Sequence, residues 1–169
     1  MTKALASARR WLLFFVVMLL LSGLTAIPVE MELELIQKFV PRENDFGSWV
    51  NKVLYGIITT EGNYPWLFYG YDWLAFAHII LAILFAGAIK DPAKNRWIID
   101  FGIITCLMVV PFALIAGNYR GIPWGWRWID CSFGLFGIIP LLIIKKRICA
   151  LERGIFADEG SETELKFVS

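Results

Sequence analysis

The sequence predicts an all-α membrane protein, a four-transmembrane-helix bundle with an amphipathic helical cap on its outer side. Of its 169 residues, 58% are hydrophobic and only 18% are charged, which is well beyond the apolar content of a soluble domain. Four apolar segments are long enough to cross a bilayer, and tryptophans lie close to their ends. Lysine and arginine are concentrated beside one set of these ends, as membrane topology requires.

The four apolar segments define the predicted spans, which are Trp11–Ile27, Trp73–Ile89, Trp97–Ala116 and Trp126–Ile144. Each contains about 17–20 residues, which at about 1.5 Å per residue crosses a hydrocarbon layer of about 30 Å. The amphipathic indole ring favours the boundary between lipid and water. The tryptophans at predicted span ends are Trp11, Trp66, Trp73, Trp97, Trp124, Trp126 and Trp128.

Basic residues predict the orientation. They are dense in residues 1–10, in the loop 90–96 and in the tail 145–169, and dilute in residues 28–72 and 117–125. The positive-inside rule therefore places both termini in the cytoplasm, with residues 28–72 and 117–125 outside. We expect a multi-pass protein of the bacterial inner (plasma) membrane. Leu24, two positions before Ala26, makes a poor signal-peptide cleavage site, so the first span is expected to stay.

The outer segment 28–72 carries two different patterns. Residues 29–35 alternate apolar and polar side chains with period two, which alone suggests a strand. No partner strand is present, and Val29, Leu33, Ile36 and Val40 also share one helical face, so we predict a helix that continues from the first span. After a break at residues 41–45, an amphipathic helix is predicted to lie in the outer interface or to pack on the bundle. Its apolar face is Phe46, Trp49, Val50, Val53, Leu54, Ile57 and Ile58.

Ionisable residues lie near the outer ends of two predicted spans, the second and the fourth. They are expected to point inward, because each belongs to a helix whose inner face is made of small residues that allow close approach. On the second span this face comprises Asp72, Ala75, His78, Ala82 and Ala86; on the third it comprises Gly102, Cys106, Ala113 and Gly117; on the fourth it comprises Arg127, Asp130, Gly134 and Gly137. Near the inner end of the third span, Asp100 is expected to reach the cytoplasmic interface or to pair with Lys94 or Arg96.

Three interpretations of this polar cluster remain open. It could be a structural clasp, or a proton or ion path in an oligomer, since an ionisable group inside a membrane is costly unless it is paired or used. It could also be a site for an outer-leaflet amphiphile, with His78 as general base and Asp130 orienting it. In that case Arg120 and Arg127 would hold an anionic group of the ligand. The other residues expected to line the ligand-binding site are Asp72, Trp124 and Trp128.

Several function classes do not fit. The net charge of +1 and the lack of a basic stripe exclude a nucleic-acid partner. The three cysteines form no CxxC pair, so the chain does not fit the thiol-redox membrane enzymes. It also lacks the asparagine-containing aspartate motifs of lipoprotein signal peptidases. With one histidine and no HExxH spacing, no metal and no cofactor is expected.

The favoured interpretation is an accessory or assembly subunit, rather than an enzyme, that works through a membrane-protein partner or as a homo-oligomer in the lipid bilayer. The alternative is an enzyme or binding protein that uses His78 and Asp130. No family is identified from the sequence.

Overall fold

The computed structural model describes the backbone of residues 2–168 and the side chains of residues 3–153. Within this range no strand occurs, so the prediction of an all-helical chain is confirmed, including a helix where residues 29–35 alternate with period two. The predicted continuation of this helix from the first span is wrong, because a turn at Ile27 and Pro28 separates the two helices. A 3-10 turn, Pro65–Leu67, precedes the fourth helix. The α-helices are α1 Thr2–Ala26, α2 Val29–Phe39, α3 Asp45–Asn63, α4 Tyr69–Gly87, α5 Arg96–Tyr119 and α6 Trp124–Val168.

Four of the described helical segments are long and apolar enough to cross a membrane, as the sequence predicts. They are Lys3–Ala26, Pro65–Gly87, Arg96–Tyr119 and Trp124–Arg153. Their exposed surfaces are dominated by leucine, isoleucine, phenylalanine and tryptophan side chains, which lipid solvates and water does not. The chain therefore has the character of a multi-pass membrane protein.

The spanning helices pack in a row whose two end members, α4 and α5, also touch near Phe85 and Gly102. Helix α4 packs along α1, α1 packs along α6, and α6 packs along α5. A core lies near the end formed by residues 3–10, 88–95 and 145–153, which we call the terminal end. The opposite end we call the α2–α3 end. The fully buried side chains of this core include Leu12, Ile99, Leu141, Ile144 and Ile148.

Small residues let these helices approach closely. At Gly134 of α6, an added Cβ would lie 2.5 Å from the carbonyl oxygen of Cys106 on α5, a distance that real carbon atoms do not adopt. At Gly23 of α1, an added Cβ would lie 2.9 Å from the carbonyl oxygen of Ala75 on α4. Because lipid is as apolar as the side chains, such close van der Waals packing stabilises the helix pairs.

Helices α2 and α3 form a separate small unit at the α2–α3 end. Their shared core contains Leu33, Val50 and Leu54, with Trp126 of α6 packed against it. Asn44 begins α3, and its side-chain oxygen accepts a hydrogen bond of 2.6 Å from the backbone nitrogen of Gly47. The apolar face predicted for residues 46–58 is thus partly covered by α2 and by the start of α6.

The predicted acidic tail begins within α6, whose backbone stays helical to Val168. The side chains of residues 154–169 lie outside the described residues.

Candidate functional site

The single histidine lies against α1. His78 is half-buried, and its Nδ1 is 2.8 Å from the carbonyl oxygen of Leu74, one turn earlier on α4. Because a carbonyl oxygen only accepts, Nδ1 carries a proton in this contact. The Cβ of His78 would lie 3.0 Å from a Cβ added at Gly23, so the glycine makes room for the histidine.

Asp130 lies on a different pair of helices. It is half-buried on α6, and the described residues offer it no hydrogen bond or ion pair. Helices α4 and α6 do not pack along each other, because α1 lies between them in the row. The structure therefore contains no described contact between His78 and Asp130.

Arg127 fastens the connection between α5 and α6. Its Nε donates a hydrogen bond of 2.7 Å to the carbonyl oxygen of Ile122, and one terminal nitrogen donates a bond of 3.2 Å to Oδ1 of Asn118. Its alkyl chain packs on Gly117, where an added Cβ would lie 3.0 Å from Cγ of Arg127. The guanidinium also lies over the ring of Trp124, 5.5 Å from its centroid. These contacts stabilise the turn between α5 and α6 and use two of the three guanidinium nitrogens of Arg127 as donors.

The other predicted site residues are exposed at the same end. The guanidinium of Arg120 lies 5.9 Å from the centroid of the Tyr119 ring. Trp124 and Trp128 meet edge to face, with centroids 5.7 Å apart, one turn apart on α6. Asp72 lies in the first turn of α4, where a carboxylate complements the helix dipole. The structure thus spreads the predicted site over separate local contacts.

Sequence reasoning missed a cleft at the α2–α3 end. The cleft has a volume of about 370 Å³ and lies between the start of α3 and the start of α6. Phe46 stacks on Trp126 in its wall, with centroids 5.7 Å and ring planes 24° apart. The indole nitrogen of Trp49 is buried without a hydrogen-bond partner among the described residues. The tryptophan-rich sequence at residues 124–128 was the available signal, but nothing in it identified α3 as the facing element.

The tightest charged contacts lie at the terminal end. Lys145 of α6 places Nζ 2.7 Å from Oδ1 of Asp100 on α5. Arg96 places Nε 3.8 Å from Oδ2 of Asp100 and one terminal nitrogen 2.9 Å from Oε2 of Glu152. The predicted pairing of Asp100 with Arg96 is confirmed, and Lys145 is a partner that was not predicted. This ion network ties α5 to α6.

No group of three or more potential metal-ligating side chains occurs within the described part of the chain. Comparison with protein-family models, with curated proteins and with solved structures gives no match to this chain.

Proposed function

We propose that this multi-pass membrane protein is an accessory or assembly subunit that works through contacts with another membrane protein or with a second copy of itself. The observation that carries the proposal is the sparse packing of α4. Only 11% of its most apolar stretch is buried, against 28% in α5 and in α6. Helix α4 packs along α1 and otherwise touches α5 near Phe85 and Gly102, so much of its surface remains for a further helix.

The available surface is the outward face of α4, formed by Trp73, Ala77 and Ile80. These residues recur at intervals of four and three, so they share one side of the helix. All three are exposed, whereas Ala75 and Ala82 on the opposite side are buried against α1. A small residue between two large ones suits the close approach of another helix.

The proposal includes a membrane arrangement in which the four spanning helices form the bundle and the α2–α3 unit forms its outer cap. The terminal end faces the cytoplasm of a bacterial cell, because it carries the dense lysine and arginine clusters. Tagging of residue 169 with a reporter that is active only in the cytoplasm tests this orientation. An active reporter supports it, and an inactive one in the membrane-inserted chain contradicts it.

Photo-crosslinking tests the partner contact. A benzoylphenylalanine at Ile80, irradiated in the native membrane, is expected to give a protein adduct of discrete mass. Ile79 is the matched control, because its Cγ1 lies 3.5 Å from a Cβ added at Gly23 of α1. A probe at position 79 should therefore give crosslinks within the chain. Lipid adducts alone at position 80 would count against the proposal.

A second candidate is an enzyme or binding protein for an outer-leaflet amphiphile. It is favoured by Asp130, since a half-buried carboxyl in a spanning helix with no described partner is costly unless it is used. Such a protein would purify alone with bound lipid and would lose its activity in cells on His78→Ala without losing abundance. An accessory subunit would tolerate His78→Gln.

A further inference from the structure

Helix α2 carries apolar side chains on two opposite faces. Val29 and Leu33 pack toward α3, and in the next position of the same series Gln37 donates a hydrogen bond of 2.7 Å to Oδ1 of Asn51 on α3. A second series begins two residues later, at Met31. Two residues of an α-helix turn by about 200°, so the second series lies on the side away from α3.

The second series is an exposed apolar stripe made of Met31, Leu35 and Phe39, which we call the α2 stripe. These side chains are 70%, 55% and 80% exposed, respectively. They stand at intervals of four residues and so form one continuous row along the helix. Exposing such a row to water is unfavourable, which means that the α2 stripe needs an apolar environment.

The position of α2 in the chain places it beside the ends of membrane-spanning helices. Only Ile27 and Pro28 separate α2 from α1, a helix that can cross the membrane. Exposed apolar residues also stand at the end of α1 that adjoins α2, namely Leu20, Leu24 and Ile27. Its packing partner α3 is held at the first turn of α6, where Phe46 stacks on Trp126. Both sides of the α2–α3 unit are therefore tied to the ends of spanning helices, at the level of the membrane surface.

We infer that α2 lies in the plane of the membrane at the α2–α3 end and inserts Met31, Leu35 and Phe39 into the lipid leaflet. An amphipathic helix in this position sinks its apolar face about 5–10 Å into the headgroup boundary. A protein occupant fits less well. Even aromatic side chains bury only about 150–250 Å² each, so three residues fall short of the roughly 800 Å² per partner of a standard interface.

The net charge of α2 indicates which lipid headgroup charge is compatible with insertion. Glu30, Glu32 and Glu34 outnumber Lys38, which gives the helix a net charge of −2 from three acids and one base. An anionic leaflet would repel this helix, whereas a zwitterionic leaflet would not. The surface that fits α2 is therefore a leaflet of zwitterionic phospholipid.

Spin-label accessibility tests the inference on the full chain in phosphatidylcholine nanodiscs. Single labels at positions 31, 35 and 39 are compared with labels at Glu30 and Glu34, which lie roughly 100–140° round the helix from the centre of the stripe, on its flank. We expect the stripe positions to be reached by molecular oxygen and protected from a water-soluble nickel complex, and the flank positions to show the reverse. Partial replacement by phosphatidylglycerol should reduce the depth, and an unchanged depth would contradict the preference for zwitterionic lipid.

Two results would overturn the inference. Access of the nickel complex at all three stripe positions would place the stripe in water, and exclusion of both probes would place it in a protein contact. The labels require replacement of Cys106, Cys131 and Cys149, which are free thiols. Should that variant fail to fold, benzoylphenylalanine at Leu35 in the chain with its native cysteines gives a second readout. Lipid adducts support insertion, and their absence contradicts it. The inference concerns α2 alone and stands even if α4 has no partner.

Discussion

Lys145 and Asp100 join α6 to α5 through an ion pair of 2.7 Å at the terminal end. Both side chains are about 38% exposed, so solvent screens part of their attraction. We expect a double-mutant cycle of Asp100→Asn and Lys145→Gln to show a coupling free energy of about 0.5–1 kcal/mol. The measurement is chemical unfolding in a non-ionic detergent. Simple additivity of the two substitutions would contradict a stabilising pair.

Gly134→Ala should destabilise the contact of α6 with α5. The added Cβ would lie 2.5 Å from the carbonyl oxygen of Cys106, so the backbones must separate. Overpacking of this kind costs about 1–3 kcal/mol of the free energy of unfolding. Gly87→Ala is the matched control, because nothing lies within 4 Å of its added Cβ. An equal effect of both substitutions in thermal unfolding would show that the close approach does not matter.

His78→Ala and Asp130→Asn should act independently. The two residues lie on helices that do not pack along each other, and no described contact joins them. Their effects on the free energy of unfolding should therefore add to within about 0.3–0.5 kcal/mol. A coupling above about 1 kcal/mol would show that the two side chains interact, as a shared catalytic or clasp role requires.

Glu30 makes the stability of the α2–α3 unit depend on pH. Partial desolvation raises the pKa of the Glu30 carboxyl above the ordinary glutamate value, and the nearby carboxylates of Glu61 and Glu34 raise this pKa further. The folded chain therefore keeps this proton to a higher pH than the unfolded chain, whose value is about 4.3. Between the two values the folded state binds more protons, so stability is fully present at low pH and falls as pH rises through the window.

Glu30→Gln should remove this dependence and raise the thermal midpoint at neutral pH. Glu43→Gln, in the connection between α2 and α3, is the control for a general change of charge. Melting curves recorded from pH 4 to pH 7 provide the comparison, and an unchanged slope in Glu30→Gln would refute the role of Glu30.

The sequence predicts the spanning helices well because their signal is local. Hydropathy over about 20 residues and tryptophans near the ends need no knowledge of neighbours. The alternation at residues 29–35 is subtler. In a strand it would place every apolar side chain on one side, whereas in the helix Val29 and Met31 lie on opposite faces. Whether residues 29–35 form a strand or a helix therefore decides which of their apolar side chains must be shielded from water.

The candidate site could not be assembled from sequence, because helix order in a membrane depends on packing between distant segments. The predicted inward face of α4 is confirmed at Ala75 and Ala82, which are buried, but not at Asp72, which is exposed. That face packs on α1 at Gly23 and not on the helix of Asp130. Asp100 shows the same division, because its local partner Arg96 was predictable and the distant Lys145 was not.

The central claim is that the chain works through a contact on the outward face of α4. Light scattering on protein extracted in mild detergent measures this directly. We expect the wild type and His78→Gln to form a complex larger than the monomer, and Ala77→Trp to release the monomer because the bulky ring blocks close approach. A monomeric wild type, or a complex that Ala77→Trp leaves intact, would contradict the account.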